Sequence, residues 1–231
     1  MNCIIADLLV KVPAPDCLKV WCRKYEVDLL EDVQITIEEQ KFDFSRYTEM
    51  TQHDSVVYQE SATQFYRELL QFSGMYVHAS AVALDNHAYL FSGPCGMGKS
   101  THTRLWQQVF GEAAQIINDD KPALRRLDGQ WFAYGTPWCG KDHINVNRKV
   151  PLQGICFLKR GEENRIRRLA PLEATAAILT QTMRKFKQVE YLDLLLSHVD
   201  KLVREIPIYE LECLPNEEAA LLSYNTMRPR D

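Results

Sequence analysis

The sequence predicts an α/β protein whose strands and helices share one central sheet. Two β-rich runs, 76-YVHASAVAL-84 and 88-AYLFS-92, flank the turn-forming pair Asp85-Asn86 and predict an antiparallel hairpin. The second run leads into a glycine-rich loop, and residues 100–110 then place apolar residues on one helical stripe. Further strands and helices follow to the end of the chain, with no repeat or long linker between them.

Hydrophobic periodicity places the remaining elements. Strands are predicted at 3–10, 33–38, 114–118, 131–134, 153–159 and 164–169. Helices are predicted at 15–25, 55–72, 171–186, 188–204 and 215–224. We expect residues 1–75 to form a small α/β N-terminal region and residues 76–231 to form the domain that carries the glycine-rich loop.

Composition excludes several classes of partner. The chain has 231 residues, 46% hydrophobic and 25% charged, with a formal charge of −4 and scattered basic residues, which predicts binding to neither nucleic acid nor a membrane surface. No apolar run approaches the ~18 residues of a spanning helix, and no basic segment precedes the first apolar run, so we expect a cytoplasmic protein. The seven cysteines form no CxxC pair, which favours reduced thiols over disulfides or a zinc site.

The glycine-rich loop carries the strongest functional pattern. Residues Gly93 to Ser100 fit G-x-x-x-x-G-K-[ST] at every fixed position. In such a loop, backbone N–H groups turn toward phosphate oxygens, the lysine reaches the β- and γ-phosphates, and the hydroxyl binds Mg²⁺. A capped glycine turn is the alternative, but the strand before the loop and the helix after it favour binding of ATP, or another nucleotide, with Mg²⁺. The predicted nucleotide-binding residues are Gly93, Pro94, Cys95, Gly96, Met97, Gly98, Lys99, Ser100 and Thr101.

Two adjacent carboxylates, Asp119 and Asp120, follow the apolar run 114–118. Proteins with this type of loop commonly place an acid near the metal at the end of a later strand. Because successive side chains at a strand end diverge, one acid can face the metal while the other faces an incoming hydroxyl, and their mutual repulsion raises one pKa. A polar turn before Lys121-Pro122 is the alternative. The loop upstream favours the functional interpretation.

Two further features are candidates for the site. Strand alternation places His78 on the same face as Ser80, in the strand before the loop, where an imidazole could assist an acid, although a lone strand histidine is usually structural. The segment 135-GTPWCGKDH-143 has the composition of a functional loop. Within it, Lys141 could add positive charge and Cys139 could be reactive, while a packed turn around Trp138 remains the alternative.

Three segments together resemble a known family. The runs 77-VHASAVAL-84, 93-GPCGMGKST-101 and 117-INDDKPAL-124, in this order, are similar to the catalytic core of the bacterial HPr kinase/phosphorylase family. They also resemble its short phosphoenolpyruvate carboxykinase-like relatives, some of which accompany lasso-peptide and other modified-peptide gene sets. The resemblance covers about residues 75–225. It depends more on the order of histidine, loop and aspartate pair than on the loop alone.

The resemblance implies a fold and roles for the candidate residues. The implied fold is a carboxykinase-type α/β core with a mixed, partly antiparallel sheet. Lys99 would bind the β-phosphate, and Ser100 and Asp120 would serve Mg²⁺. Asp119 would be the base that deprotonates an attacking hydroxyl, and His78 would support Asp119. Members of the family often form rings or dimers, which implies a possible homo-oligomer.

The chain also departs from that family. Its first 75 residues do not resemble the larger N-terminal domain of HPr kinases, and no E-x-R-G element follows the two aspartates. The segment 135–141 resembles what the short relatives carry. We therefore expect the acceptor to be a hydroxyl other than that of the HPr protein, in a peptide or a small molecule.

The sequence thus favours a Mg²⁺-dependent kinase that transfers the γ-phosphoryl group of a nucleotide to a serine or small-molecule hydroxyl. A non-catalytic nucleotide-dependent switch in a biosynthetic assembly is the alternative, and such a switch needs no base. A carboxykinase acting on oxaloacetate is disfavoured, because the chain is less than half the usual length of those enzymes and an arginine cluster and a second metal site would be required.

Overall fold

Two sheets organise the protein, which we describe from a computed structural model over residues 1–29, 32–45, 53–183, 186 and 188–229. The strands are β1 Asn2–Ile5, β2 Leu8–Lys11, β3 Glu26–Val27, β4 Ile35–Thr36, β5 Gly74–Tyr76, β6 Ala79–Leu84, β7 His87–Ser92, β8 Gln115–Asn118, β9 Ala123–Leu127, β10 Gln130–Tyr134, β11 Lys149–Arg160, β12 Arg165–Arg168 and β13 Ile208–Cys213. The helices are α1 Asp16–Cys22, α2 His53–Leu69, α3 Lys99–Phe110, α4 Pro171–Thr180, α5 Val189–Glu205 and α6 Glu217–Met227.

The large sheet is mixed, as the sequence and the resemblance predict. Its strand order is β5-β9-β10-β11-β7-β6-β8, and β13 also pairs with β11 and with β12. The pairs β7–β11 and β11–β13 are parallel, whereas β6–β7, β6–β8, β9–β10 and β10–β11 are antiparallel. The predicted α/β class with a partly antiparallel sheet is therefore confirmed.

The long strand β11 joins the two halves of this sheet. Its first residues pair with β10 in antiparallel register, for example Val150 with Ala133. Its later residues lie between β7 and β13, so that Cys156 pairs with Phe91 on one side and with Tyr209 on the other. Since β7, β11 and β13 run in one direction, their carboxyl ends meet at one edge, where the glycine-rich loop follows β7.

Strand alternation divides the core between the two faces of the sheet. On one face, Ala81 and Leu90 pack with residues of α4 and α5 such as Ile178 and Val199. On the other face, Val82, Phe91 and Cys156 pack with Trp106 of α3 and Met227 of α6. The sheet therefore has helices on both sides, which buries β6 completely.

The N-terminal region forms its own small sheet, in the order β3-β1-β2-β4, and packs with α1 and α2. Its core also includes Ala123, Tyr134 and Trp138 of the later chain. Arg125 extends this contact, because its guanidinium donates 2.7 Å to the Ala6 carbonyl. The division predicted at residue 75 stays a prediction, although the N-terminal region contacts the large sheet extensively.

Several predicted boundaries were wrong for local reasons. The single strand predicted at 3–10 is a hairpin, because Ala6 and Asp7 adopt positive φ values of 53° and 58° and form the turn between β1 and β2. The predicted strand at 33–38 is only Ile35–Thr36, and the helix predicted at 171–186 ends at Thr180, where the chain turns toward the loop edge. Residues 184, 185 and 187 of that prediction lie outside the described residues.

The hairpin before the loop is confirmed, with one correction. Asp85 and Asn86 form its turn with φ values of 50° and 60°. The first predicted strand is interrupted at Val77 and His78, so β5 pairs with β9 while β6 pairs with β7. His78 therefore lies in a break between strands and not within one.

No helix of the described residues is both long and apolar enough to cross a membrane.

We predict that Gly135→Ala strongly destabilises the protein. A Cβ at this position would lie 1.8 Å from the Val146 carbonyl oxygen and 2.6 Å from that of Ile117, and backbone cannot move aside as a side chain can. We expect a loss of about 3 kcal/mol in the free energy of unfolding, measured by urea denaturation. Gly154→Ala is the control, because its Cβ would meet the flexible Met227 methyl group at 3.0 Å. Equal losses for the two variants would contradict the prediction.

Candidate active site

The glycine-rich loop joins β7 to α3 and needs glycine for its backbone. Gly98, the residue before α3, has φ 100° and ψ 20°, and Gly96 has φ 77°, conformations that residues with a Cβ rarely adopt. A Cβ at either glycine would meet no atom within 4 Å, so the requirement is conformational and the space inside the loop is open. The His102 N–H donates to the Gly98 carbonyl at 2.8 Å, which starts α3 at the loop.

The side chain of Lys99 folds back over the loop. Its ammonium group donates to the carbonyl oxygens of Gly93 at 3.0 Å and Pro94 at 3.2 Å. Burial lowers the pKa of Lys99, and the charges of Asp120 and Asp119 oppose that shift. The predicted phosphate-binding lysine therefore lies within the loop and close to both predicted acids.

Asn118 fixes the turn that presents the two aspartates. This fully buried side chain accepts hydrogen bonds from the Asp120 and Lys121 N–H groups at 3.0 and 2.8 Å. Its amide nitrogen donates to the Thr136 carbonyl at 3.1 Å. Asn118 belongs to the predicted strand before the acids, but the sequence does not reveal its role, because the contact that anchors its amide group joins it to Thr136, 18 residues away.

Asp120 is engaged by donors from three segments. Its Oδ1 lies 3.2 Å from His78 Nε2, and its Oδ2 accepts from Tyr58 at 2.6 Å and from Lys121 at 2.6 Å. Burial raises the pKa of Asp120, but the hydrogen bonds of His78, Lys121 and Tyr58 and the charge of Lys121 outweigh burial and hold the pKa well below its usual range. Asp120 is therefore ionised and held in place.

Asp119 differs sharply from its neighbour. Its Oδ1 is buried and has no hydrogen-bond partner among the residues that the structure describes. Burial raises the pKa of Asp119, while interactions with the hydroxyls of Ser80 and Ser100 and the charge of Arg104 lower it less. An orphaned buried carboxylate oxygen beside the loop is suited to accept a proton or bind a cation.

The contact predicted between His78 and Asp119 was wrong. His78 lies against Asp120, and its backbone N–H and Nδ1 reach the Gln181 carbonyl at 2.7 Å and Gln181 Oε1 at 3.3 Å. The break between β5 and β6 explains the difference, because it takes His78 out of strand alternation and toward the loop after α4. The roles predicted for Asp119 as base and for Asp120 as metal ligand stay predictions.

The segment 135–143 forms a wall over the acids. Gly140 packs directly on them, since a Cβ there would lie 3.3 Å from both the Asp119 carbonyl oxygen and the Asp120 Cβ. Trp138 is fully buried, stacks on Phe65 and donates to Ser61 at 2.9 Å, so it is a core residue. Burial raises the pKa of the Cys139 thiol to about 11, which opposes the reactivity considered for it.

Tyr58 of α2 connects the N-terminal region to the site. Its hydroxyl donates to Asp120 and accepts from the Gly140 N–H at 3.0 Å, and the Lys121 ammonium lies 4.3 Å from its ring centroid. Trp21 of α1 packs edge-on against Tyr58 at 5.6 Å. Tyr58 is not identifiable as a site residue from the sequence, because an apolar helical stripe gives no sign that one of its residues reaches a carboxylate.

A cavity of about 1050 Å³ brings most of these side chains together. It contains the predicted residues His78, Cys95, Gly96, Gly98, Lys99, Ser100, Thr101, Asp119 and Asp120. The loop residues Gly93, Pro94 and Met97 do not line it. Its other lining residues include Trp21, Tyr58, Lys121, Gly140, Lys141 and Gln181. The acids, the lysine and the hydroxyl thus share one opening with a wall from the N-terminal region.

The side chains of this cavity could hold a metal ion only if a phosphate ligand supplied further oxygens. Among the described residues, no group of three or more His, Cys, Asp or Glu side chains is arranged to hold a metal. Mg²⁺ is commonly bound by one or two protein oxygens with substrate phosphates and water. The Ser100 hydroxyl, beside Asp119, offers one such oxygen, whereas both oxygens of Asp120 already have protein partners.

Comparisons with known proteins give one family match. Residues 46–215 match the family described as SynChlorMet cassette protein ScmC. Among solved structures, the Hpr(Ser) kinase/phosphatase from Coxiella burnetii is similar at 15% identity, over 65% of this chain and 87% of that chain, with a TM-score of 0.37. A TM-score of this size does not define a shared fold. No curated protein matches the chain.

We predict that isosteric substitutions of the two aspartates change stability in opposite directions. In metal-free protein at pH 7, Asp120→Asn should lower the free energy of unfolding by about 2 kcal/mol, because the donors around the carboxylate lose their charged partner. Asp119→Asn should raise it by less than about 1 kcal/mol, since it removes a charge that burial disfavours and solvent partly screens.

The pH dependence follows from the two pKa directions. Asp120 contributes stability above its unfolded-state pKa, and this contribution disappears as the pH falls through the lowered folded-state pKa. Asp119 favours the folded state when protonated, so the gain from Asp119→Asn should develop only as the pH rises above about 4. Urea denaturation between pH 2 and pH 7 measures both trends. If both substitutions change the free energy of unfolding at pH 7 in the same direction, the predicted difference between the two aspartates is wrong.

Proposed function

We propose that this chain, which belongs to the SynChlorMet cassette protein ScmC family, is a phosphotransferase that binds a nucleoside triphosphate with Mg²⁺ and transfers the γ-phosphoryl group to a hydroxyl. One observation carries the proposal. The orphaned oxygen of Asp119 is buried beside a glycine-rich loop, and Asp119 lines the same cavity as Lys99 and Ser100. Transfer to a hydroxyl requires a group that accepts the proton, and this oxygen is suited to that role.

The loop supports binding of the polyphosphate. Gly96 and Gly98 have the positive φ values that let consecutive N–H groups turn inward, and α3 begins at Lys99 with its N-terminus at the loop. Lys99 hydrogen bonds to the Gly93 and Pro94 carbonyls, which a phosphate oxygen can replace as a stronger acceptor for the ammonium group. Lys99 would then neutralise charge on the β- and γ-phosphates.

Ser100 is the residue that we propose as the protein ligand of Mg²⁺, with Asp119 beside it. When bound, Mg²⁺ would neutralise charge that develops on the transferred group. The contacts of Asp120 argue for a role other than metal binding, because His78, Tyr58 and Lys121 occupy both of its oxygens. We propose that Asp120 holds these three side chains in position.

Asp119 is the proposed general base. Its raised pKa makes it a better proton acceptor than an ordinary surface aspartate, and Oδ1 is the atom with a lone pair free of protein donors among the described residues. An acceptor hydroxyl within hydrogen-bond distance of Oδ1 would lose its proton to Asp119 as its oxygen attacks the γ-phosphorus. The bond from that phosphorus to the bridging oxygen would break, and the nucleoside diphosphate would leave. The proton would remain on Asp119 until solvent removes it.

The acceptor would enter the large cavity where the N-terminal region meets the 135–143 segment. Trp21, Tyr58, Gly140 and Lys141 line the cavity, and Tyr58 accepts a hydrogen bond from the Gly140 N–H. The volume of about 1050 Å³ can hold a triphosphate tail together with an acceptor of several atoms, such as a serine side chain. Since the family description names a cassette, products of the same cassette are the first acceptors to test. The link to lasso-type peptides stays a prediction.

We predict that Asp119→Asn retains nucleotide binding but abolishes transfer. Calorimetry with Mg–ATP and Mg–GTP should give dissociation constants within about threefold of the wild-type values, because the loop is unchanged. Transfer from radiolabelled nucleotide to serine-containing cassette peptides should fall by a factor of about 100 or more, as expected when a general base is removed. Lys99→Ala should instead weaken binding itself.

The control is Asp200→Asn, which removes an exposed carboxylate that pairs with Arg204 and lines neither cavity. Its transfer rate should stay within about threefold of wild type. If Asp119→Asn keeps full biological function while Lys99→Ala abolishes it, the nucleotide acts as a switch and the kinase proposal fails. If Mg–nucleotide does not bind wild-type protein, both proposals fail.

A further inference from the structure

A second cavity, of about 410 Å³, lies next to the glycine-rich loop and has no part in the chemistry described above. It shares Gly96, Gly98 and Thr101 with the larger cavity. Lys99 and Ser100 line only the larger cavity, whereas His102 and Leu105, later in α3, line only the smaller one. The loop therefore separates two chambers that meet at its glycines and at Thr101.

We infer that this smaller cavity binds the nucleoside part, the base and ribose, of the donor nucleotide. The inference rests on the proposed function, since it assumes that the loop holds a polyphosphate. If the γ-phosphate lies beside Lys99 and Ser100, the α-phosphate and the nucleoside attached to it must leave the loop at a different point. Thr101 and the two shared glycines mark the exit into the smaller cavity.

The position in the sheet supports this assignment. The cavity is walled by residues that follow the carboxyl ends of two parallel strands, Gly161 after β11 and Leu214 after β13. The Gly161 N–H donates to the Cys213 carbonyl at 3.3 Å, which ties these two strand ends together. Ligands of open α/β sheets bind in the crevice outside the carboxyl ends of the strands.

The chemistry of the walls also suits a nucleoside. The apolar side chains Leu105, Leu158 and Leu214 can cover the faces of a planar base. Two basic side chains also line the cavity, Arg160 and Lys159, of which Lys159 is paired with Glu210. Arg160 is fixed there, because its guanidinium donates to the Gly96 carbonyl of the loop at 2.9 Å. None of the described residues that line this cavity is acidic, whereas four aspartates line the larger one.

The test compares Mg–ATP with Mg–tripolyphosphate, which has the same phosphate chain without a nucleoside. Wild-type protein should bind ATP at least about tenfold more tightly, a difference of about 1.4 kcal/mol. Leu214→Trp, which partly fills the cavity from an exposed loop, should reduce ATP affinity to that of tripolyphosphate and leave tripolyphosphate affinity unchanged. Leu221→Trp on α6 is the matched control, since Leu221 and Leu214 are 42% and 39% exposed and Leu221 lines neither cavity.

Photolabelling of the wild-type protein with an azidoadenine nucleotide provides a second readout that needs no variant. The adduct should map to residues 158–161 or 213–215, which line the smaller cavity. Equal affinities for ATP and tripolyphosphate, or an adduct confined to residues of the larger cavity, would overturn the inference while leaving phosphate binding intact. If neither ligand binds, the proposed function fails together with it.

Discussion

The partly buried carboxylate of Asp120 is the constraint on which the arrangement of the site depends. A charged group in a protein interior must be compensated by donors, and here they come from Tyr58 of α2, from His78 before β6 and from Lys121. Because Tyr58 also accepts from the Gly140 N–H, the same contact fixes the 135–143 segment. One ionised side chain thus ties the N-terminal region, the sheet and the loop segment to one point.

The same arrangement leaves Asp119, the neighbouring acid, with an oxygen that no donor among the described residues engages. Asn118 holds the turn by accepting the backbone N–H groups of Asp120 and Lys121, so the two aspartates face different surroundings although they are adjacent. Asp120 is saturated with donors, and Asp119 keeps one buried oxygen without a partner among the described residues. The pKa of Asp119 is therefore raised and that of Asp120 is lowered, although the two side chains are chemically identical.

The parallel direction of β7, β11 and β13 determines which loops surround the site. The loop follows β7, and the parallel neighbours β11 and β13 end at the same edge, so the residues after all three strands surround one region. The large cavity with the acids lies on one side of the loop and the smaller, acid-free cavity on the other. Sheet topology therefore places two cavities of different charge beside the loop.

The sequence by itself determined the hairpin with its Asp85-Asn86 turn, the loop from Gly93 to Ser100 and the helix after it, because local backbone preferences and apolar periodicity specify them. Only the tertiary structure decided that His78 meets Asp120, that Tyr58 reaches the site and that β13 lies beside β11. Those contacts join residues far apart in the chain. A buried charge finds its donors, and a strand finds its partner, only when the whole chain has folded. No local pattern of residues therefore encodes these contacts.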